Sequence, residues 1–217
     1  MEWILLLALG AGAAGAGRRL VVRRGARRDA RAELAGVRHL AEEDVVVFGE
    51  ELQRLDEVVG DHPLDADARR DYQTALDAYE SAQRAVERLE EVAQVSRVAD
   101  VLTTGRYALA CVRARVEGTP MPAMRTPCFF NPQHGPAATE VLWTTGRLGT
   151  KRVPACSQCS ARVANRETPE VRTVYDGSTT VPYWEAGAAY EPYRSGYVVA
   201  DLARAMRAGY GGGGGAF

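Results

Sequence analysis

The sequence predicts a mainly α chain with three parts. An N-terminal transmembrane helix comes first, then an antiparallel coiled-coil hairpin or three-helix bundle, then a small α+β module of zinc-ribbon or treble-clef type. Three observations predict this. Residues Trp3 to Gly17 carry no charge and are followed at once by arginines. From Leu34 to Val116 apolar side chains recur every three or four residues, the spacing of a helical stripe. Beyond Pro120 the pattern changes to short alternating strands, with metal-ligand residue types at Cys128, His134, Cys156 and Cys159.

The first element is the anchor. The only charged side chain before the apolar run is Glu2, and Arg18, Arg19, Arg23, Arg24, Arg27, Arg28 and Arg31 follow it against Asp29 alone. A secretory signal would carry its positive charge before the run. Charge placed after it predicts an uncleaved single pass, with the N-terminus outside and the body in the cytoplasm at the plasma membrane. A full span needs about 20 residues. Residues 1–22 reach that length if Arg18 and Arg19 extend their head groups toward the interface. These residues are the predicted contact with the lipid bilayer.

Residues 25–118 form the predicted helical body. Its first stripe is Leu34, Val37, Ala41, Val45, Phe48, Leu52, Leu55 and Val59, with Glu42, Glu43, Glu50, Glu51, Arg54 and Glu57 on the other face. Gly60-Asp61-His62-Pro63 breaks this helix, and Asp65 is a good N-cap for the next. The second stripe reads Tyr72, Leu76, Tyr79, Ala82, Val86, Leu89 and Ala93. A third segment from about Ser96 carries Val98, Leu102, Leu109, Val112 and Val116, either continuing the second helix or bending from it near Gly105. Two long helices joined by a short turn lie antiparallel. Cys111 reads as a half-buried core residue and His62 as a surface turn residue.

Residues 119–127 are a proline-broken linker, and residues 128–197 form the module. Its order is a knuckle around Cys128 and His134, a hairpin with Glu140–Thr144 as one strand and Arg152–Val153 on the return, then Cys156-Ser157-Gln158-Cys159 opening a helix. Three thiolates and one imidazole would complete a tetrahedral structural zinc site. A module this small has little apolar core, so the metal would contribute much of its stability. The alternatives are half-buried cysteines with His134 ordering a turn, or a redox C-x-x-C, which needs a thioredoxin-like setting absent here. Val171–Tyr175, an Asp176-Gly177 turn and Thr179–Val181 read as a second hairpin, covered by Tyr183, Trp184, Tyr190, Tyr193 and Tyr197. Residues 198–217 read as a short helix over Val198–Ala208 and a glycine-rich tail.

Several stretches resemble an uncharacterised family of actinobacterial single-pass membrane proteins. They are Ala41-Glu42-Glu43-Asp44, Phe48-Gly49-Glu50-Glu51-Leu52, Gly105-Arg106-Tyr107-Ala108-Leu109-Ala110, Pro127 through Pro136, and Val181-Pro182-Tyr183-Trp184-Glu185-Ala186-Gly187. The resemblance covers most of the chain from about residue 30 to residue 197. It implies a membrane helix, a coiled-coil body and a glycine-rich tail, and no known activity.

Composition narrows the function classes. The net charge is −1, so no global field draws the chain to nucleic acid. Lys151 is the only lysine, which reads as codon bias toward arginine. His39, His62 and His134 are scattered, and no phosphate loop, dinucleotide fingerprint or His-Glu-x-x-His occurs. The sequence therefore points to a membrane-anchored cytoplasmic scaffold with a structural Zn2+, not an enzyme. A protein partner or self-association through the helices goes with that reading. The alternative is a tethered thiol-redox or nucleic-acid module, the latter resting on Arg125, Arg147, Lys151, Arg152 and Arg162.

Overall fold

A computed structural model describes residues 2–60, 63–146, 149–175 and 179–196, with side chains from residue 22 to residue 194. The expectations for the Asp176-Gly177 turn, His62, Tyr197, the Val198–Ala208 helix and the glycine-rich tail fall outside these residues. So do the side chains of the expected anchor. Among the described residues, no helix is long and apolar enough to cross a membrane.

Three helices make the body: α1 (Glu2–Val59), α2 (Ala66–Glu87) and α3 (Val95–Glu117). The apolar N-terminal run and the first body helix are one element, since α1 passes through Gly25 without a break. Asp65 caps α2 as its sequence suggests, its Oδ1 accepting from Ala68 N at 2.6 Å. α3 does not continue α2. A 3-10 turn over Val92–Gln94 separates them, and Gln94 and Glu91 close it as a capping box. α3 ends at Gly118, whose φ of 64° is the left-handed conformation that glycine adopts without a Cβ clash.

Cross-helix contacts fix the directions. Tyr72 donates to Asp56 at 3.0 Å, Phe48 packs on Tyr79, and Arg38 donates to the Leu89 carbonyl, so α1 and α2 run antiparallel. Arg115 pairs with Asp71 at 3.2 Å, and Gly105 lies against Ala78, so α2 and α3 are antiparallel as well. α3 runs through Gly105 without a break. The missing side chain admits Phe48 instead, because a Cβ there would stand 2.5 Å from Phe48 Cζ.

Val37, Ala41, Val45, Phe48, Leu52 and Leu55 are buried, as the first stripe requires. The second stripe holds at Ala82, Val86 and Leu89, which are buried, and is displaced toward alanine in its first half. Ala68, Ala75, Ala78 and Ala82 are the buried line, while Tyr72, Leu76 and Tyr79 sit half-buried at its margin and Ala93 is exposed. Small residues let α2 lie close to α3, and the larger side chains then fill the edges. Cys111 is fully buried rather than half-buried, and burial pushes its thiol up.

The module follows as β1 (Thr139–Thr145) antiparallel to β2 (Gly149–Ala155), α4 (Ser157–Ala164), β3 (Thr173–Tyr175) antiparallel to β4 (Thr180–Pro182), and a short α5 (Glu191–Gly196). The aromatic run was expected to cover the small sheet. Tyr183, Tyr190 and Tyr193 do pack with Val174 of β3, and the same core continues into the helical body. Tyr183 donates to the Phe129 carbonyl at 3.0 Å, Tyr190 to the Tyr175 carbonyl at 3.3 Å, and Trp184 stacks on Phe129 at 4.4 Å. The charged face of α1 is likewise partly covered. Asp44 is fully buried and takes hydrogen bonds from Gln133 at 2.6 Å and from Tyr193, with Arg172 at 3.1 Å. Glu43 pairs with Arg172 at 2.7 Å, and Glu51 pairs with the buried Arg106 at 3.3 Å.

Candidate metal centre

Each ligand candidate owes its place to a local device. Cys128 opens the knuckle: its N–H donates to the Gly135 carbonyl at 3.0 Å, and Pro127 bridges Pro136. Asn131 caps the 3-10 turn Pro132–His134 by accepting from Gln133 N at 3.0 Å, and that turn swings His134 back over Cys128. Gly135, at a φ of 75°, takes the chain out of the turn. The knuckle is fastened to the hairpin by Phe129 N–H donating to the Pro154 carbonyl at 2.8 Å. Cys156 then follows β2 directly and is the N-cap of α4, its Sγ accepting from Cys159 N at 3.4 Å. Cys159 lies in the first turn of α4, facing inward.

The outcome is a convergence of all four. The three Sγ atoms and a ring nitrogen of His134 lie within 4.8 Å of one another. Nδ1 of His134 stands 3.6 Å from Cys156 Sγ and 3.4 Å from Cys159 Sγ. Tetrahedral zinc, with thiolates at about 2.3 Å and imidazole at about 2.0 Å, spaces its ligand atoms roughly 3.4–3.8 Å apart. The three thiols are buried, with Cys128 1 % exposed, Cys156 8 % and Cys159 0 %, and His134 is half-buried. Every cysteine is a free thiol.

Protonation in this cluster follows from crowding. Donation from the Cys128 thiol, helped by His134 and the Cys159 N–H, holds Cys156 down to about 3 against the cost of burial. Donation to Cys156 and burial both push Cys128 up. Burial, then the neighbouring Cys156, pushes Cys159 up to about 11. The Cys156 thiolate raises His134 against its burial. A dication bound by these four donors would displace the protons they carry, because metal binding takes thiolate and neutral imidazole.

One residue of the centre carries no sequence signal. Glu170 lies on the loop after α4, and its Oε2 stands 3.7 Å from His134 Nε2, on the ring edge away from the thiols. A carboxylate behind a ligating imidazole orients the ring and raises its basicity. The surrounding core is thin. The fully buried residues of the module cluster are Phe130, Val153 and Ala155 beside the three cysteines.

The remaining described candidates stand outside this cluster. His39 sits on exposed α1, paired with Glu43 at 3.3 Å. Lys151 and Arg152 are neighbours on β2 and so point to opposite faces. Arg125 donates to the Ala138 carbonyl at 2.7 Å and Arg162 to the Thr168 carbonyl at 3.4 Å. Arg147 lies outside the described residues. No family model matches the chain, and comparison with curated proteins and with solved structures found no match.

Proposed function

We propose that the chain is a membrane-anchored scaffold whose cytoplasmic body carries a structural Zn2+ held by Cys128, His134, Cys156 and Cys159. The observation that carries the metal assignment is the meeting of four donors, drawn from the knuckle, the end of β2 and the first turn of α4, within 4.8 Å of one another. All four positions of a tetrahedral ion would be filled by protein, which is the pattern of a structural site. The tether rests on the uncharged run Trp3–Gly17 and the arginines after it. A cytoplasmic body keeps these thiols reduced and available to a metal. The helical body offers its outer faces to a protein partner or a second copy, and the scaffold reading assigns no catalysis.

Elemental analysis of the full chain is expected to find one zinc per chain. Stripping it with a chelator should expose the Cys128 and Phe129 amides to hydrogen exchange, since both bonds close the knuckle. A metal-free chain with an equally protected knuckle would rule the zinc out. Protease digestion of sealed vesicles of either orientation tests the tether. The body should be cut only when the cytoplasmic face is exposed.

The lowered Cys156 supports a second reading, a thiol-redox pair. Burial argues against it, because an attacking thiolate needs access to its target and Cys156 is 8 % exposed. A metal-free chain that cycles between thiol and disulfide against glutathione would favour redox over zinc.

A further inference from the structure

Between the N-terminal run and the body, α1 stands free. From Val22 to Glu33 every residue except Gly25 is exposed, and burial begins in earnest at Val37. Five arginines occupy this free stretch: Arg23, Arg24, Arg27, Arg28 and Arg31. At about 100° per residue they fall within an arc of roughly 140° on one side of the helix, while Asp29 and Glu33 fall on the opposite side. No arginine of the five has an acidic residue three or four positions away. Instead Arg23–Arg27, Arg27–Arg31 and Arg24–Arg28 are like-charged pairs at i,i+4 spacing, an arrangement that destabilises a helix in water. An external polyanion along that side would relieve this repulsion.

We propose that this arginine face of α1 binds the acidic phospholipid head groups of a bilayer surface. The inference deepens the tethering reading and rests on it for the choice of partner. The face begins a few residues after the uncharged run Trp3–Gly17, at the depth where head groups lie if that run is in the membrane. Arg23 to Arg28 span about 7.5 Å of helix and Arg31 lies about 12 Å from Arg23, so the first four guanidiniums fall within the screening length of about 8–10 Å and Arg31 at its edge. The whole chain is at −1 despite this arm, so the remainder is net acidic and stands off from polyanions. That favours a flat surface touched by the arm alone over a nucleic acid that would also meet the body.

The test uses the full chain in phosphatidylcholine vesicles carrying a trace of spin-labelled phosphatidylglycerol or spin-labelled phosphatidylcholine. The motionally restricted fraction of each label is measured. An exposed ion pair favours association by up to about fivefold, so a preference of about twofold to fivefold for phosphatidylglycerol is expected. It should fall to parity in about 1 M salt and in the variant with Arg23, Arg24, Arg27, Arg28 and Arg31 all changed to Gln. An unchanged far-UV spectrum, expected because none of the five packs on the body, shows that the variant is folded. Equal restriction of both labels around the unmodified chain overturns the lipid face and leaves the tether standing. Arginine-dependent retention on RNA without a lipid preference overturns it too. Failure to enter pure phosphatidylcholine vesicles, with arginine-dependent binding to phosphatidylglycerol vesicles, overturns the tether and leaves the face standing.

Discussion

Gln133 Nε2 donates to Asp44 Oδ1 at 2.6 Å, joining the knuckle to α1 across 89 residues of sequence. Gln133 is the neighbour of the ligand candidate His134, and Asp44 is fully buried. The same carboxylate takes the Tyr193 hydroxyl and the Arg172 guanidinium. Arg172 in turn is tied to the knuckle, its N–H donating to the Phe130 carbonyl at 2.8 Å. One acidic side chain on the first helix therefore organises the seam between body and module.

Asp44→Asn keeps the shape of this node and removes its charge. Arg172, largely buried, loses an ionic partner, and truncating one member of a buried pair costs about 3–5 kcal/mol. Glu43 still faces Arg172, so the expected loss is about 3 kcal/mol. Urea denaturation followed by helix signal and by tyrosine fluorescence measures it. A loss below about 1 kcal/mol would show that the seam does not depend on this carboxylate.

Glu170→Gln is expected to weaken zinc binding by about tenfold, the low end for a carboxylate behind a ligating histidine because this one is partly exposed. Competition against a coloured chelator gives the ratio. Identical affinity in the variant would mean that the His134 ring is oriented by its own turn alone.

Gly105→Ala sets two effects against each other. Alanine improves helix propensity by about 1 kcal/mol. Its Cβ, however, would stand 2.5 Å from Phe48 Cζ and 2.8 Å from Ala78 Cβ, where three helices meet. Overpacking of this kind costs about 1–3 kcal/mol, and with both neighbours held by helix backbone the clash wins. Net destabilisation of about 1–2 kcal/mol in thermal or urea unfolding is the expected outcome, and a stabilised variant would refute it.

Glu51 supplies a pH signature. Burial raises its carboxyl above the ordinary 4.5, with Arg106 opposing that shift. A folded-state value above the unfolded one means that the native chain holds the proton more tightly. The contribution is present in full below pH 4.5 and is lost as pH rises through the raised folded value. Subtracting the stability of Glu51→Gln from that of the unmodified chain at each pH cancels every other titration. The difference should fall with rising pH above 4.5 and then level off. A flat difference would place Glu51 in water.

Much of this architecture is legible in the sequence. The α1 stripe, the Asp65 cap, the first hairpin and the four ligand candidates all follow from periodicity, turn residues and Cys/His spacing, which are local properties. Three features were not legible. The alanine line of α2 is hidden because alanine marks a buried face as weakly as an exposed one, and the tyrosines beside it dominate the pattern. Asp44 and Glu51 sit among acidic residues that read as a solvated face, and only the distant Arg106, Arg172 and Tyr193 make them interior. Glu170 is one acidic residue in a loop, and nothing near it in sequence refers to His134.

The unbroken course of α1 also has a mechanical meaning. A helix without a hinge cannot take up slack, so whatever holds its N-terminal end also sets the azimuth of everything built on its other end. Each residue inserted between Val22 and Glu33 would swing the Cys/His knuckle around the helix axis by about 100° and lift it about 1.5 Å. Seven inserted residues would return it nearly to its original bearing, about 10 Å farther out. The body is mounted like a vane on a rigid mast, and insertions of different length would separate a requirement for reach from a requirement for facing.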